Sequence, residues 1–142
     1  MSNPSPWPLE PVAPLLVVSR FRVEAEERGD FVAEADAAIA VLSSQSGCTS
    51  ASLGQATDDA TLLLIRTEWS GVGAYRRALS SFDVKLRAVP LLSRAIDEPS
   101  AYELVRQWTP EGTVTAPSGL AQDAGVVGLG DASAADVRPV SS

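Results

Sequence analysis

The segment Thr61–Trp69, TLLLIRTEW, most constrains the fold, because it has the composition of a β-strand and carries apolar residues on both faces. One face carries Leu63, Ile65, Thr67 and Trp69, and the other carries Leu62, Leu64, Arg66 and Glu68. Apolar side chains on both faces of a strand stabilise a protein only when both faces are covered. The sheet that contains this strand therefore needs a layer on each side.

The other periodic segments predict a β-α-β-β-α-(α)-β order. They are a first strand over Pro14–Val23, a helix capped by Asp30 and ended by Gly47, a weaker strand over Cys48–Ala56, a helical region capped by Ser70 and broken at Pro90, and a last strand over Ser100–Trp108. This order is typical of the ferredoxin-like α+β fold, in which helices cover one face of a four-stranded antiparallel sheet.

The second face of the sheet predicts a homodimer. Leu16 and Val18 share that face of the first strand, and Leu62 and Leu64 share it on the third. Because the helices lie on the opposite face, an identical sheet from a second chain is the simplest cover for these side chains.

The composition changes at both ends of the periodic region. Residues 1–13 are rich in proline, and residues 109–142 are rich in Gly, Ala, Ser, Asp and Val without a sustained period. Segments of this kind bury too little apolar surface to fold on their own. The sequence therefore predicts one domain over residues 14–108 between two disordered tails.

Charge and composition exclude several functions. A formal net charge of −7 disfavours binding to a phosphate backbone, so nucleic acid is not an expected partner. No apolar run is long enough to span a bilayer and no signal-peptide pattern is present, which predicts a cytoplasmic protein without a membrane partner. The chain has no histidine and one cysteine, which excludes histidine-dependent nucleophiles and histidine-ligated metal or haem.

Four short motifs resemble those of the antibiotic biosynthesis monooxygenase family of dimeric α/β barrels. They are LLVVSRFRV in the first strand, SGC at Ser46–Cys48, TEWSG at the end of the third strand and AYRRAL in the following helix. The resemblance covers about Leu15–Val105. It implies a pocket between the sheet and the helices of each subunit and, in the best-understood enzymes, oxidation of polycyclic phenols by O2 without metal, flavin or other cofactor.

The resemblance also selects candidate site residues. Trp69 and Tyr75 match a tryptophan at the end of the third strand and a tyrosine in the next helix, Ser19 stands where several relatives have asparagine, and the helical histidine of the haem-degrading branch is absent. An oxygenase without a cofactor must stabilise a substrate anion, which requires flat apolar walls and a hydrogen-bond donor or cation. The candidates are catalytic Trp69, Tyr75 and Arg87, and substrate-binding Ser19, Phe21 and Ile65.

Two functions remain open. The first is a cofactor-independent monooxygenase that acts on an aromatic, polyketide-like small molecule with O2. The second is a non-catalytic dimeric α/β barrel that binds a small apolar ligand or serves as an interaction module, because a fold does not imply an activity. Trp69 and Tyr75 are also interpretable as core residues, and Arg87 as part of a solvated helix face. A pocket lined by the aromatic residues and an arginine would favour the enzyme.

Overall fold

The computed structural model describes residues 12–115 of the chain. In chain order these residues form strand β1 (Leu15–Arg22), a 3₁₀ turn (Ala25–Glu27), helix α1 (Arg28–Ser43), strands β2 (Cys48–Ala56) and β3 (Asp59–Trp69), helices α2 (Val72–Leu79), α3 (Phe82–Arg87) and α4 (Val89–Leu92), and strands β4 (Ala101–Glu103), β5 (Arg106–Thr109) and β6 (Gly112–Thr115). The parts of the expected tails over residues 1–11 and 116–142 lie outside the described residues.

Strands β1 to β4 form one antiparallel sheet in the order β2-β3-β1-β4, which confirms the predicted ferredoxin-like α+β fold. In the β1–β3 register Leu15 is opposite Trp69 and Ser19 is opposite Ile65. Burial alternates along both strands, so their odd-numbered residues face the core. This register places all the strand residues of the candidate site on one face, which we call the inner face.

The core fills the space between the inner face and the helices. Phe31, Ala35, Ala38 and Leu42 of α1 are buried there, at the spacing that the sequence predicts. The rings of Phe21 and Phe31 lie with their centroids 5.0 Å apart. The two alanines let α1 approach the sheet closely, because their side chains need little room.

The opposite, outer face of the sheet is only half-buried. Leu16 and Val18 of β1 and Leu62 and Leu64 of β3 are partly accessible on this face. Polar groups are interleaved with them, including an ion pair of Arg66 with Glu68 at 2.7 Å and one of Arg20 with Glu98 at 2.7 Å. The outer face is therefore a partly apolar surface that also carries ion pairs, in which each charge has a partner of opposite sign in the same chain.

The two long helices begin differently from the prediction. α1 starts at Arg28 instead of after Asp30, because the 3₁₀ turn already leads the chain into helical geometry. α2 starts at Val72 after Gly71, and no side chain caps it. Ser70 is therefore not a side-chain cap of α2; its N–H group donates instead to a backbone carbonyl of the turn that precedes β2.

Gly47 forms that turn and does not itself end α1, which stops at Ser43. Its φ of +92° is a conformation that L side chains rarely adopt, and an added Cβ would lie 2.5 Å from the Cβ of Ala74. Its carbonyl accepts the N–H of Ser70 at 2.8 Å. A glycine here thus allows the first turn of α2 to pack directly against the start of β2.

Pro90 divides the second helical region, as predicted. α3 ends at Arg87, and Pro90 lies in the first turn of α4, where its missing N–H breaks no helical hydrogen bond. Among residues 12–115 no helix has the length and the apolar composition that crossing a membrane requires.

The predicted last strand is instead two strands with a break between them. β4 ends at Glu103, and β5 pairs with β6 in a separate hairpin that reaches Thr115. The hairpin therefore continues past the expected domain end at Trp108 into the segment expected to be disordered. Gly112 makes the tight connection possible with a φ of +134°.

Phe31→Ala should lower the free energy of unfolding by about 3–5 kcal/mol, because it removes a buried ring and leaves a cavity beside Phe21. Phe82→Ala removes an identical side chain from a position that is 75% exposed, and it should change the free energy of unfolding by no more than about 0.5 kcal/mol. Urea unfolding followed by circular dichroism measures both. Equal losses in the two variants would contradict the assigned core.

Candidate functional site

Trp69 lies at the end of β3 with its side chain completely buried, at 0% exposure. Its indole N–H donates a hydrogen bond to the hydroxyl of Thr67 at 2.8 Å. Thr67 is itself buried on the same face of the strand, two positions earlier. The bond satisfies a polar group that would otherwise be costly to bury, and it fixes the plane of the indole.

Tyr75 packs against this indole from α2. The two ring centroids are 5.3 Å apart and the rings are tilted by 52°, a favourable arrangement for aromatic pairs. Only Ser70 and Gly71 separate β3 from α2, so the helix begins almost directly above the strand end. Gly71 is buried, and a Cβ there would lie 2.7 Å from a methyl carbon of Val12. The short connection thus brings together the two aromatic candidates.

The phenol of Tyr75 is protonated at neutral pH. The side chain is 2% exposed, and burial raises its pKa to about 12, since the phenolate is poorly solvated in the core. Within residues 12–115 no hydrogen bond to this hydroxyl is formed. A protonated hydroxyl in an apolar site is able to donate a hydrogen bond to an anionic oxygen but does not act as a base.

Ser19, Phe21 and Ile65 lie farther along the inner face. Ile65 is two inner-face positions from Trp69, about 13 Å along the strand, with Thr67 between them. Ser19 is opposite Ile65 in the β1–β3 register, and both are buried. The three substrate-binding candidates therefore continue the surface that begins at Trp69, and this surface is largely apolar.

Arg87 is exposed at the last position of α3. Among the hydrogen bonds, ion pairs and ring contacts formed within residues 12–115, none joins Arg87 to Trp69 or Tyr75. The buried residue of α3 is Val84, so the face of this helix that points into the core carries no arginine. The structure thus brings together five of the six candidate residues on the inner face or α2 and places the cation elsewhere.

Thr67 is the polar residue of this region that sequence reasoning missed. Strand alternation already places it between Ile65 and Trp69 on the inner face. Its hydrogen bond to the indole is not readable from that pattern, because the bond depends on the rotamer of Trp69. A threonine two positions before an inward tryptophan is nevertheless a usable signal for such a contact.

Both side chains of the aromatic pair are buried, with Trp69 at 0% and Tyr75 at 2% exposure. A depression with a volume of about 340 Å³ lies on the exposed side of α2, away from Tyr75, and is lined by Gly73, Arg76, Arg77, Ser80 and Ser81. It includes neither aromatic ring. A ligand in this depression would not contact the buried indole or phenol.

Comparisons with known proteins agree with this fold. The family model for antibiotic biosynthesis monooxygenase matches residues 14–85. The structure is similar to SnoaB, a cofactor-independent oxygenase from Streptomyces nogalater, with 22% identity, a TM-score of 0.57 and coverage of 70% of this chain and 99% of SnoaB. At such identities a structural similarity establishes the fold alone. No curated protein matches the sequence.

Two further solved structures show the same similarity. A conserved protein from Methanosarcina mazei Go1 is 22% identical with a TM-score of 0.55, and the match covers 65% of this chain and 93% of that protein. Rv0793 from Mycobacterium tuberculosis is 19% identical with a TM-score of 0.54, and the match covers 69% of this chain and 99% of that protein. The matched part of this chain therefore corresponds to nearly the full length of each of the two proteins.

The raised pKa of Tyr75 predicts a stability change at high pH. The phenol loses its proton near pH 10 in the unfolded chain and near pH 12 in the folded protein. The folded state thus holds the proton more tightly, and its stability should fall by about 2–3 kcal/mol as the pH rises through this window. The Tyr75→Phe variant should not show this fall in stability.

Urea unfolding at several pH values between about 9 and 12 measures the difference between the two proteins. Tyr102→Phe, which removes the hydroxyl of a half-exposed tyrosine, is the matched control and should retain the fall in stability that Tyr75 contributes. Identical slopes in the wild type and in Tyr75→Phe would contradict the burial of this phenol.

Proposed function

Since the chain belongs to the antibiotic biosynthesis monooxygenase family, we propose that it oxidises an electron-rich aromatic small molecule with O2 and without a bound cofactor. The pairing of the buried indole of Trp69 on the inner face with the protonated phenol of Tyr75 on α2 supports this proposal most. SnoaB, a similar structure, is named as a cofactor-independent oxygenase. The flat apolar walls of the site support an aromatic substrate, because such walls favour a flat ligand.

The proposed reaction draws all its electrons from the substrate. A phenol or anthrone that loses a proton becomes an anion able to donate electrons to O2. One oxygen atom then enters the product as a carbonyl, and the other leaves as water with two hydrogens lost from the substrate, both from the methylene carbon of an anthrone, or one from the hydroxyl and one from the ring carbon of a phenol. In this reaction Tyr75 donates a hydrogen bond to the substrate oxyanion, and Trp69 forms a wall of the pocket. Because Arg87 is exposed, the proposal gives it no role.

Ser19, Phe21 and Ile65 would contact the rest of the ligand. Ser19 and Ile65 lie opposite each other about 13 Å along the inner face from Trp69, and Phe21, opposite Leu63, lies one inner-face position farther, so a polycyclic ring system would reach Ser19 and Ile65 before Phe21. The Ser19 hydroxyl is the polar group among the three and would select a substrate with a hydrogen-bonding substituent at that end. Their apolar surroundings exclude water, which strengthens the hydrogen bond from Tyr75.

The closed packing of the aromatic pair favours a second candidate function. Trp69 and Tyr75 are buried, as core residues are, and the candidate Arg87 is exposed on α3. A barrel of this kind that binds an apolar ligand without converting it would have the same composition on its inner face. Both functions predict an apolar ligand, but only the first predicts that the ligand is converted.

We also propose that two copies pair through their outer sheet faces. Leu16, Val18, Leu62 and Leu64 are half-buried in one chain and would be covered in such a pair. The ion pair of Arg66 with Glu68 is already formed within one chain, so pairing would not leave these charges without partners.

Oxygen consumption with a panel of electron-rich polycyclic phenols and anthrones tests the chemistry. Tyr75→Phe should lower kcat by about tenfold or more with the fold retained, because it removes a donor used in the transition state. Trp69→Phe should weaken both binding and rate, and Tyr102→Phe should change neither. Ligand binding without any oxygen uptake would support the second function, and unchanged turnover in Tyr75→Phe would contradict the assigned donor.

Leu64→Asp should convert the protein from a dimer to a monomer, because it places an unpaired charge in the middle of the proposed interface. Light scattering coupled to size-exclusion chromatography at micromolar concentration measures the mass. Ala40→Asp, on the exposed side of α1, is the control and should remain dimeric. A wild-type monomer near the 14.8 kDa chain mass would refute the pairing.

A further inference from the structure

The depression on the exposed side of α2 is a surface that the proposed oxidation does not use. Its lining residues recur three or four positions apart, so they follow one side of the helix and the turn that leads to α3. They are Gly73, Arg76, Arg77, Ser80 and Ser81. The buried residues Ala74, Tyr75 and Ala78 lie on the other side of the same helix. The depression is therefore open to solvent and separate from the aromatic pair.

Each polar side chain that lines the depression carries hydrogen-bond donors, and none of them carries a negative charge. Arg76 and Arg77 supply two guanidinium groups. The Ser80 hydroxyl already donates to the carbonyl of Arg76 at 3.2 Å. The Ser81 hydroxyl accepts the N–H of Val84 at 3.3 Å, and within residues 12–115 its own proton has no acceptor. This set of groups favours an anionic ligand.

The Arg77 guanidinium has no ionic partner within residues 12–115. It forms neither a hydrogen bond nor an ion pair there. Arginines on other elements do form ion pairs with carboxylates; they are Arg20, Arg22, Arg66 and Arg94. In the described part of the chain Arg77 therefore keeps its N–H groups available for a ligand.

Gly73 makes room for this guanidinium. A Cβ at position 73 would lie 3.3 Å from Nη1 of Arg77, so the guanidinium lies beside the glycine. Gly73 does not have a positive φ, and glycine is a poor helix former, so the backbone of α2 does not require a glycine at this position. The glycine thus allows the guanidinium to lie close to the helix, where it lines the depression.

The segment around the depression is basic in an acidic protein. Residues 72–90 contain four cationic side chains and one carboxylate, Asp83, whereas the whole chain has a formal net charge of −7. Asp83 does not line the depression. Two guanidinium groups at one site favour a ligand with more than one negative charge, and a phosphate monoester carries about −1.5 to −2 at pH 7. The acidic remainder of the chain disfavours a long polyanion.

The size of the depression agrees with a small molecule. Its volume of about 340 Å³ lies at the lower end of the range for small-molecule sites, which is roughly 300–1,000 Å³. This volume leaves room for an organic group beside a phosphate.

We infer that this depression binds the phosphate group of a small phosphorylated molecule, with Arg77 as the principal contact. The Ser81 hydroxyl donates a further hydrogen bond, and the charge of Arg76 adds to the attraction. The inference depends neither on the proposed oxidation nor on the pairing of two copies.

An NMR titration of the isotopically labelled full chain with phenyl phosphate, in a buffer free of phosphate, tests the inference. Saturable shifts are expected at the backbone amides of residues 73–81. Benzoate, which has the same ring and a single negative charge, should bind about tenfold more weakly or less tightly still. Inorganic phosphate should also bind more weakly than phenyl phosphate. Equal binding of the two phosphates would overturn the assignment to a phosphorylated molecule.

Arg77→Gln should raise the dissociation constant of phenyl phosphate by about tenfold or more. Arg87→Gln is the matched control, because it removes the same charge from an exposed position on α3 that does not line the depression. This control should change the constant by less than about twofold. Equal losses in the two variants would indicate a general attraction to the basic segment and would overturn the site.

Gly73→Ala should also weaken binding of phenyl phosphate, because its Cβ displaces the Arg77 guanidinium. Gly29→Ala is the control: Gly29 is likewise the second residue of its helix, and a Cβ there meets nothing within 4 Å. Circular dichroism should show that every variant keeps the wild-type fold. Equal dissociation constants in the two glycine variants, or no saturable binding to the wild type, would overturn the inference.

Discussion

The complete burial of the Trp69 indole is the constraint from which the candidate site follows. A buried indole N–H needs an acceptor, and Thr67 supplies one from the same face of β3. This bond fixes the ring against which Tyr75 packs, and the two-residue connection to α2 leaves that helix little freedom to lie elsewhere. Gly47 completes the arrangement, because only a residue without a side chain lets α2 approach the start of β2.

The order of the strands and helices could be predicted because periodicity reports which face of an element is buried. The odd-numbered residues of β1, and those of β3 from Leu63 to Trp69, are buried as their alternation indicates. Helix starts were less predictable: Asp30 and Ser70 have the chemistry of caps, but a preceding 3₁₀ turn and Gly71 determine where the helices begin. The hairpin β5–β6 was missed because its residues have no sustained alternation and its turn depends on one glycine conformation.

The same limits apply to the site. Trp69 and Tyr75 are close in space because they are close in sequence across a strand-to-helix junction, so a motif could find them. Whether Arg87 lies near the aromatic pair depends on which side of α3 faces the core. A helix of six residues is too short for its periodicity to predict that side. The side that faces the core carries Val84. Thr67 was overlooked because a threonine in a strand has a structural explanation whatever its side chain contacts.

The packing of the inner face determines what kind of ligand it is able to accept. Because Trp69 and Tyr75 are buried and in contact with each other, an entering molecule has to replace the contacts that it separates. A flat aromatic ring does this with least loss, since it restores both the apolar contact and the ring-to-ring geometry. Opening the site also hydrates the Tyr75 phenol unless the ligand brings an acceptor for its proton. An aromatic molecule with an anionic oxygen meets both demands. The aromatic packing and the buried phenol that stabilise the core without a ligand are therefore the features that would select such a ligand.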